Sequence, residues 1–132
     1  MTEVSRHANG DSVEYWKAVR QGRLVLQTCR SCGAVQFPPR HHCATCWETD
    51  LDWTESSGRG AVESFTIVRR APLPDLRDRV PYVVAAIRLE DGPRMLTNIV
   101  GANALDTRIG APVQVTFETD SRGETLPQFA LA

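Results

Sequence analysis

Four cysteines stand in two Cys-x-x-Cys pairs, Cys29 with Cys32 and Cys43 with Cys46, separated by ten residues. A Cys-x-x-Cys turn carries two sulfurs to one edge of a tight loop. Two such turns facing each other make a four-thiolate cage, which suits Zn2+. Gly33 follows the first pair directly, where the chain must turn left-handed to leave the knuckle. No cysteine is left over. Two disulfides are the alternative, but pairs this close in sequence are poor partners for each other and unusual in a reducing compartment. A thioredoxin-type redox pair needs a strand before it and a helix starting at its first cysteine, whereas Arg30, Ser31 and Gly33 read as a turn. A closed cage has no open position for water, so the expected duty of the metal is structural. His41 and His42 adjoin Cys43, yet four thiolates complete the site without them.

Little else in the chain supports catalysis. Every thiol is committed to metal. A nucleophilic serine needs a histidine, and the histidines are His7, in an N-terminal arm, and the pair beside the second knuckle. Glu90 and Asp91 fall at a turn. No catalytic residue is assigned, and the chain is expected not to be an enzyme on its own.

At 132 residues the chain is one domain or two very small ones. Its 42% hydrophobic share is that of a globular protein, and no apolar run is long enough to cross a membrane. Residues 1–10 lack the apolar stretch of a signal peptide, so the expected location is the cytoplasm. Fifteen basic side chains face sixteen acidic ones, a net charge of −1 that argues against a general nucleic-acid binder. Lys17 is the sole lysine. A GC-rich genome would produce that bias without function, although arginine is also the better fork for phosphates and carboxylates.

The elements that must hold these residues follow from patterning. Asp11 to Glu14 forms a capping-box pattern opening a short helix of about three turns, with Val13, Trp16 and Val19 on one face, Tyr15 at its edge and Gly22 at its end. Tyr15 and Trp16 can dock on this chain or on a partner, the former being favoured. Leu24 to Thr28, Ala34 to Phe37 and Leu51 to Glu55 read as strands around the knuckles, in a module too small to hold together without metal. Ser56 to Gly60 reads as a linker. Five strand-like segments follow: Ala61 to Arg70, Tyr82 to Glu90, Met95 to Val100, Val113 to Glu118 and Leu126 to Leu131, with one helical turn between Ala102 and Ile109. They fit a small closed barrel of the OB type, with a five-stranded antiparallel sandwich as the competitor. The fold class is therefore mainly β, with an arm and helix over 1–22, a zinc module over 23–55 and a barrel domain over 56–132. The loop from Ala71 to Pro81 carries three prolines, Arg77 and Arg79, and follows Arg69 and Arg70; it reads as a binding loop or as a merely soluble one.

The chain resembles a family of small bacterial and archaeal proteins that join a rubredoxin-like zinc ribbon to an OB fold. The likeness rests on Tyr15-Trp16, Gly22 to Leu24, Gln27 to Gly33, Phe37 to Arg40, Cys43 to Cys46, Gly58 to Gly60, Ser64 to Thr66, Pro81 to Val84, Gly92-Pro93, Ile109-Gly110 with Val113, and Leu126 to Phe129. It implies an acyl-CoA-associated protein of lipid or steroid side-chain metabolism that works beside a thiolase-like enzyme, bridges its subunits and helps shape its CoA channel. A site for acyl-CoA needs arginines at its mouth and an apolar groove behind. Arg69, Arg70, Arg79 and Tyr82 offer both, with Phe37 and Arg40 as an opposite wall. Tyr15 and Trp16 are the candidate partner-docking residues. The competing functions are a nucleic-acid-binding OB domain with a zinc ribbon, and a rubredoxin-like electron carrier with iron in the cage. Balanced charge and few barrel aromatics oppose the first. Trp47 following the second knuckle where a glycine is expected opposes the second.

Overall fold

The computed structural model describes residues 10–120 and 122–132. The arm expected over residues 1–10, with His7, lies outside them but for Gly10.

One helix, α1 (Val13–Arg20), opens the described chain. It is eight residues long, shorter than three turns, and Ser12, not Asp11, stands at its N-cap without a side-chain capping bond. Its phase also differs from the expected one. Tyr15, Ala18 and Val19 are the buried positions, and Trp16 lies at the edge. Gly22 leaves the helix at φ 71°, the left-handed exit its sequence position calls for.

Three antiparallel strands form the ribbon: β1 (Val25–Cys29) lies between β2 (Val35–Gln36) and β3 (Leu51–Glu55). Next come β4 (Arg59–Val68), β5 (Tyr82–Leu89), β6 (Arg94–Val100), β7 (Pro112–Thr119) and β8 (Thr125–Leu131), closed in the order β4-β5-β6-β8-β7. Closure excludes the sandwich. It depends on β4 pairing with β7 through Arg59 to Ala61, and on a short parallel ladder between β6 and β8 at Ile99–Phe129 and Val100–Ala130. The chain is mainly β, with one short helix, a four-cysteine ribbon and a five-stranded OB barrel. The helical turn expected between Ala102 and Ile109 is a 3-10 turn at Ala104–Asp106, and the proline-rich loop holds another at Pro74–Leu76.

Alternation along the strands fills the barrel. Val83, Ala85, Ile87 and Leu89 of β5 point inward to meet Val62, Met95, Ile99, Val113 and Phe129. The same cluster continues without a break into Tyr15, Val19, Leu24, Val25 and Leu26. Helix, ribbon and barrel thus share one core, and α1 touches both β1 and β8. Phe129 is fully buried, so truncating it to alanine costs about 3–5 kcal/mol.

The segment read as a linker is not loose. Arg59 and Gly60 already belong to β4, and Ser56, Ser57 and Gly58 are fixed by bonds to three other parts of the chain. Its glycines serve close approach: a Cβ at Gly60 would lie 2.6 Å from the Arg88 carbonyl oxygen, and one at Gly58 would collide with Val115.

Candidate metal centre and interaction surface

The four cysteines come together because two knuckles of the same build face each other. In the first, Gly33 N–H donates to Cys29 O (2.9 Å) and Cys29 N–H to Ala34 O (2.9 Å). In the second, Trp47 N–H donates to Cys43 O (2.9 Å) and Cys43 N–H to Glu48 O (2.8 Å). Position for position, Trp47 repeats Gly33. Cys29 and Cys43 are buried, Cys46 is half-buried and Cys32 is exposed. The Cys29–Cys46 and Cys32–Cys43 sulfurs are each 3.6 Å apart, and all four lie within 4.8 Å of one another. A tetrahedron with Zn–S bonds of about 2.3 Å has sulfurs about 3.8 Å apart, so the cage fits zinc. Backbone N–H groups of Cys46 and Thr45 hold the Cys43 thiol down at about 6, whereas at Cys32 and Cys46 a backbone hydrogen bond is outweighed by burial and the neighbouring sulfurs, which raise the thiols. No histidine joins the cluster of metal-ligating groups among the described residues.

Two buried amides that the sequence reading passed over support the cage. Gln27 Oε1 accepts from Arg40 N–H (2.8 Å) and Gln36 Nε2 (2.7 Å), while Gln27 Nε2 donates to Arg40 O (2.9 Å). Gln36 Oε1 in turn accepts from Ala44 N–H (2.9 Å), inside the second knuckle. The signal was present: two glutamines occupy strand positions where a ribbon of this size wants apolar side chains. At the rim, Arg30 bridges Asp52 (2.8 Å) and Asp50 (3.3 Å). Its guanidinium holds the Asp52 carboxyl below the usual range.

The residues expected to bind acyl-CoA do not converge on one cavity. Arg79 and Tyr82 share a cavity of about 200 Å³ with Leu76, Asn98, Ile99 and Val100. Arg69 and Arg70 lie just beyond the end of β4, exposed. Phe37 packs on Tyr15, ring centroids 5.5 Å apart, in an apolar groove of about 280 Å³ between α1, β6 and β8. Arg40 lines a third cavity with Gln27 and Trp53. The groove of Phe37 adjoins the cavity of Arg79 and Tyr82, sharing Asn98 with it, whereas Arg40 faces the separate third cavity.

Of the two docking places open to Tyr15, this chain or a partner, the side chain occupies the first, within the shared core. Its ring is 3% exposed, and burial pushes its hydroxyl well above the usual range. Trp16, edge-on to it at 5.0 Å, forms part of the groove wall.

Charge is distributed unevenly. Arg23, Arg30, Arg59, Arg88, Arg94 and Arg122 each meet a carboxylate of the chain. The side chains of Arg69, Arg70, Arg77 and Arg79 meet none among the described residues. Two of these guanidiniums precede the proline-rich loop and two lie within it, and Arg79 lines the cavity of Tyr82.

Comparison with known proteins gives this architecture a family. The profile of the ChsH2 rubredoxin-like zinc ribbon domain matches residues 16–52, and that of the ChsH2 C-terminal OB-fold domain matches residues 53–118. A probable enoyl-CoA hydratase alpha subunit of Thermomonospora curvata is 36% identical over 121 residues, covering 92% of this chain and 37% of that protein. The chain therefore spans little more than a third of that relative's length. A DUF35 domain-containing scaffold protein of Methanocaldococcus jannaschii is 34% identical over 107 residues, 80% of this chain and 75% of that one. Among solved structures, a chain of the Ltp2-ChsH2(DUF35) aldolase superposes with a TM-score of 0.85 at 34% identity, over 96% of this chain and 98% of its own. The chain belongs to the DUF35 family, in which a ChsH2-type zinc ribbon is joined to a ChsH2-type OB-fold domain.

Proposed function

We propose that this chain is a non-catalytic accessory subunit that docks on a thiolase-like enzyme in the cytoplasm and supplies one wall of its acyl-CoA channel. In this reading, residues 1–22 are an arm and a helix packed on the core, 23–55 the zinc ribbon and 56–132 the OB-fold domain. Cys29, Cys32, Cys43 and Cys46 hold one Zn2+ that fixes the ribbon and takes no part in chemistry. The observation that carries the ligand is the set of guanidiniums without a carboxylate partner around the proline-rich loop, Arg69, Arg70, Arg77 and Arg79, of which Arg79 lines the cavity of Tyr82. An acyl-CoA brings phosphates for such a cluster and a thin neutral arm for the cavity behind it. The scaffold name of the archaeal relative and the aldolase assembly of the structural neighbour support the docking role. Among the described residues no helix is long and apolar enough to cross a membrane, which agrees with a subunit working in water. Nucleic acid is disfavoured because the net charge is −1 and, of the barrel's aromatics, Phe129 is buried and Phe65 and Phe117 are half-buried against the core.

Calorimetric titration of a CoA ester into the isolated chain and into the complex tests this. Binding is expected to be weak alone, since one wall is missing, and tighter in the complex. The double change Arg69→Ala with Arg70→Ala is expected to weaken binding in the complex and leave zinc and folding intact. Unaltered affinity and turnover would remove these arginines as the phosphate clamp. Sub-micromolar binding of single-stranded RNA or DNA at physiological salt would promote the nucleic-acid reading instead.

A further inference from the structure

We infer that Trp47, at the tip of the second knuckle, is an anchor that inserts into an apolar pocket with a basic rim on the enzyme partner. The inference rests on the docking role proposed above and names where the docking occurs.

Trp47 is the one non-glycine residue at positive φ among the described residues, at 69°. Its counterpart in the first knuckle is Gly33 at 78°, and the matching hydrogen bonds of the two knuckles show that the position itself demands the left-handed turn. A bulky residue held there costs about 1–2 kcal/mol over glycine. Among the described residues no packing offsets that cost, because Trp47 is 77% exposed, the most exposed of their large hydrophobic side chains. An indole set against both its backbone preference and its solvation is accounted for by a contact outside the chain. Tryptophan is the side chain most enriched among residues that dominate binding energy.

The surroundings select the kind of partner. Glu48 follows directly and its exposed carboxylate has no partner among the described residues, while Asp50 and Asp52 stand nearby on Arg30. This acidic flank repels nucleic acid and anionic lipid, and fits a protein pocket edged by Lys or Arg. The knuckle backbone, cross-bonded at Cys43 and Trp47, fixes the base of the side chain, so little backbone freedom is lost on docking.

The test uses the zinc-loaded chain, the source organism's counterpart of Ltp2 as the probe, and the variants Trp47→Gly and Trp47→Asn, both tolerant of the left-handed turn. Each variant is expected to keep full zinc content and an equal or higher Tm in isolation, yet to raise the Kd for the enzyme at least about 30-fold. In the wild-type complex, acrylamide quenching of tryptophan emission should fall, and that protection should be missing from both variants. If wild type binds and the variants bind equally well, the anchor is wrong while the docking role stands. If wild type does not bind at all, the docking role and the anchor fall together. A lower Tm in both variants would show that Trp47 packs within its own chain, and would also overturn the inference.

Discussion

Ser56 Oγ donates a 2.6 Å hydrogen bond to Asp91 Oδ1, joining the end of the ribbon to the β5–β6 turn across 35 positions of sequence. The same oxygen accepts from Gly58 N–H (3.0 Å), and Ser56 N–H donates to Leu24 O (2.8 Å). One residue further on, Ser57 Oγ and Arg59 Nε both reach Glu90 Oε2, at 2.9 and 3.0 Å. Ribbon and barrel are thus locked at a fixed angle. Ser56 is buried, so Ser56→Ala leaves the Gly58 N–H unanswered and should destabilise the fold by about 1–3 kcal/mol. In a double-mutant cycle with Asp91→Ala, denaturant unfolding should give a coupling of at least about 0.5 kcal/mol. Strict additivity would mean that the bond contributes nothing.

Gln27 performs for the inter-knuckle loop what Ser56 performs for the domain junction. Gln27→Leu keeps the volume but takes a partner from Arg40 N–H, Arg40 O and Gln36 Nε2, the last of which keeps His42 O. The expected loss is about 2–4 kcal/mol in unfolding experiments, together with faster zinc release to a chelator, since Gln36 also steadies Ala44. Wild-type stability and release rate in this variant would remove the amide pair from the support of the cage.

Much of the fold was legible because strand alternation and the knuckle spacing are local signals. Val83, Ala85 and Ile87 announce their inward face, and the four cysteines announce each other. What failed depended on long-range placement. Gly58 and Gly60 look like flexibility in sequence, and only the approach of Val115 and the Arg88 carbonyl shows that they are there for contact. Helix phase failed because the Val13-Trp16-Val19 spacing ignores that α1 is wedged between β1 and β8, which turns Tyr15 inward. The arginines of the proline-rich loop were found by type, but their lack of carboxylate partners became visible only once every other ion pair was placed.

Glu63 sits at a bulge in β4, where the register shifts between Val62 and Ser64. There its carboxylate meets Arg88 Nη2 (2.9 Å) and Arg94. These guanidiniums hold its carboxyl below the usual range. The stabilising effect is whole above the unfolded value of about 4.3 and is lost as pH falls through the lower folded value. The stability difference between wild type and Glu63→Gln should therefore be constant from neutral pH down to about 5 and shrink below about 4. A difference independent of pH across that window would mean that the pair acts by packing alone. Added salt should reduce the neutral-pH difference, because the group is partly exposed.

The four thiolates allow the sharpest test, because the cage and its neighbours make opposite predictions. Cys29 is buried at the end of β1, its sulfur 3.6 Å from that of Cys46, so Cys29→Ser removes one vertex from a closed tetrahedron. Apparent binding of structural zinc amounts to about 10–16 kcal/mol, a large part of which should be lost as stability of the ribbon. The barrel shares its core with the ribbon through Leu24, Val25 and Leu26, so the damage should reach the whole molecule as a lowered Tm. His41 and His42 meet edge to face, ring centroids 4.8 Å apart, and stand outside the cluster of sulfurs. His41→Ala with His42→Ala should therefore retain one zinc per chain by elemental analysis, where Cys29→Ser retains little. Full zinc and full Tm in Cys29→Ser would refute the cage, and a red purified protein would replace zinc with iron.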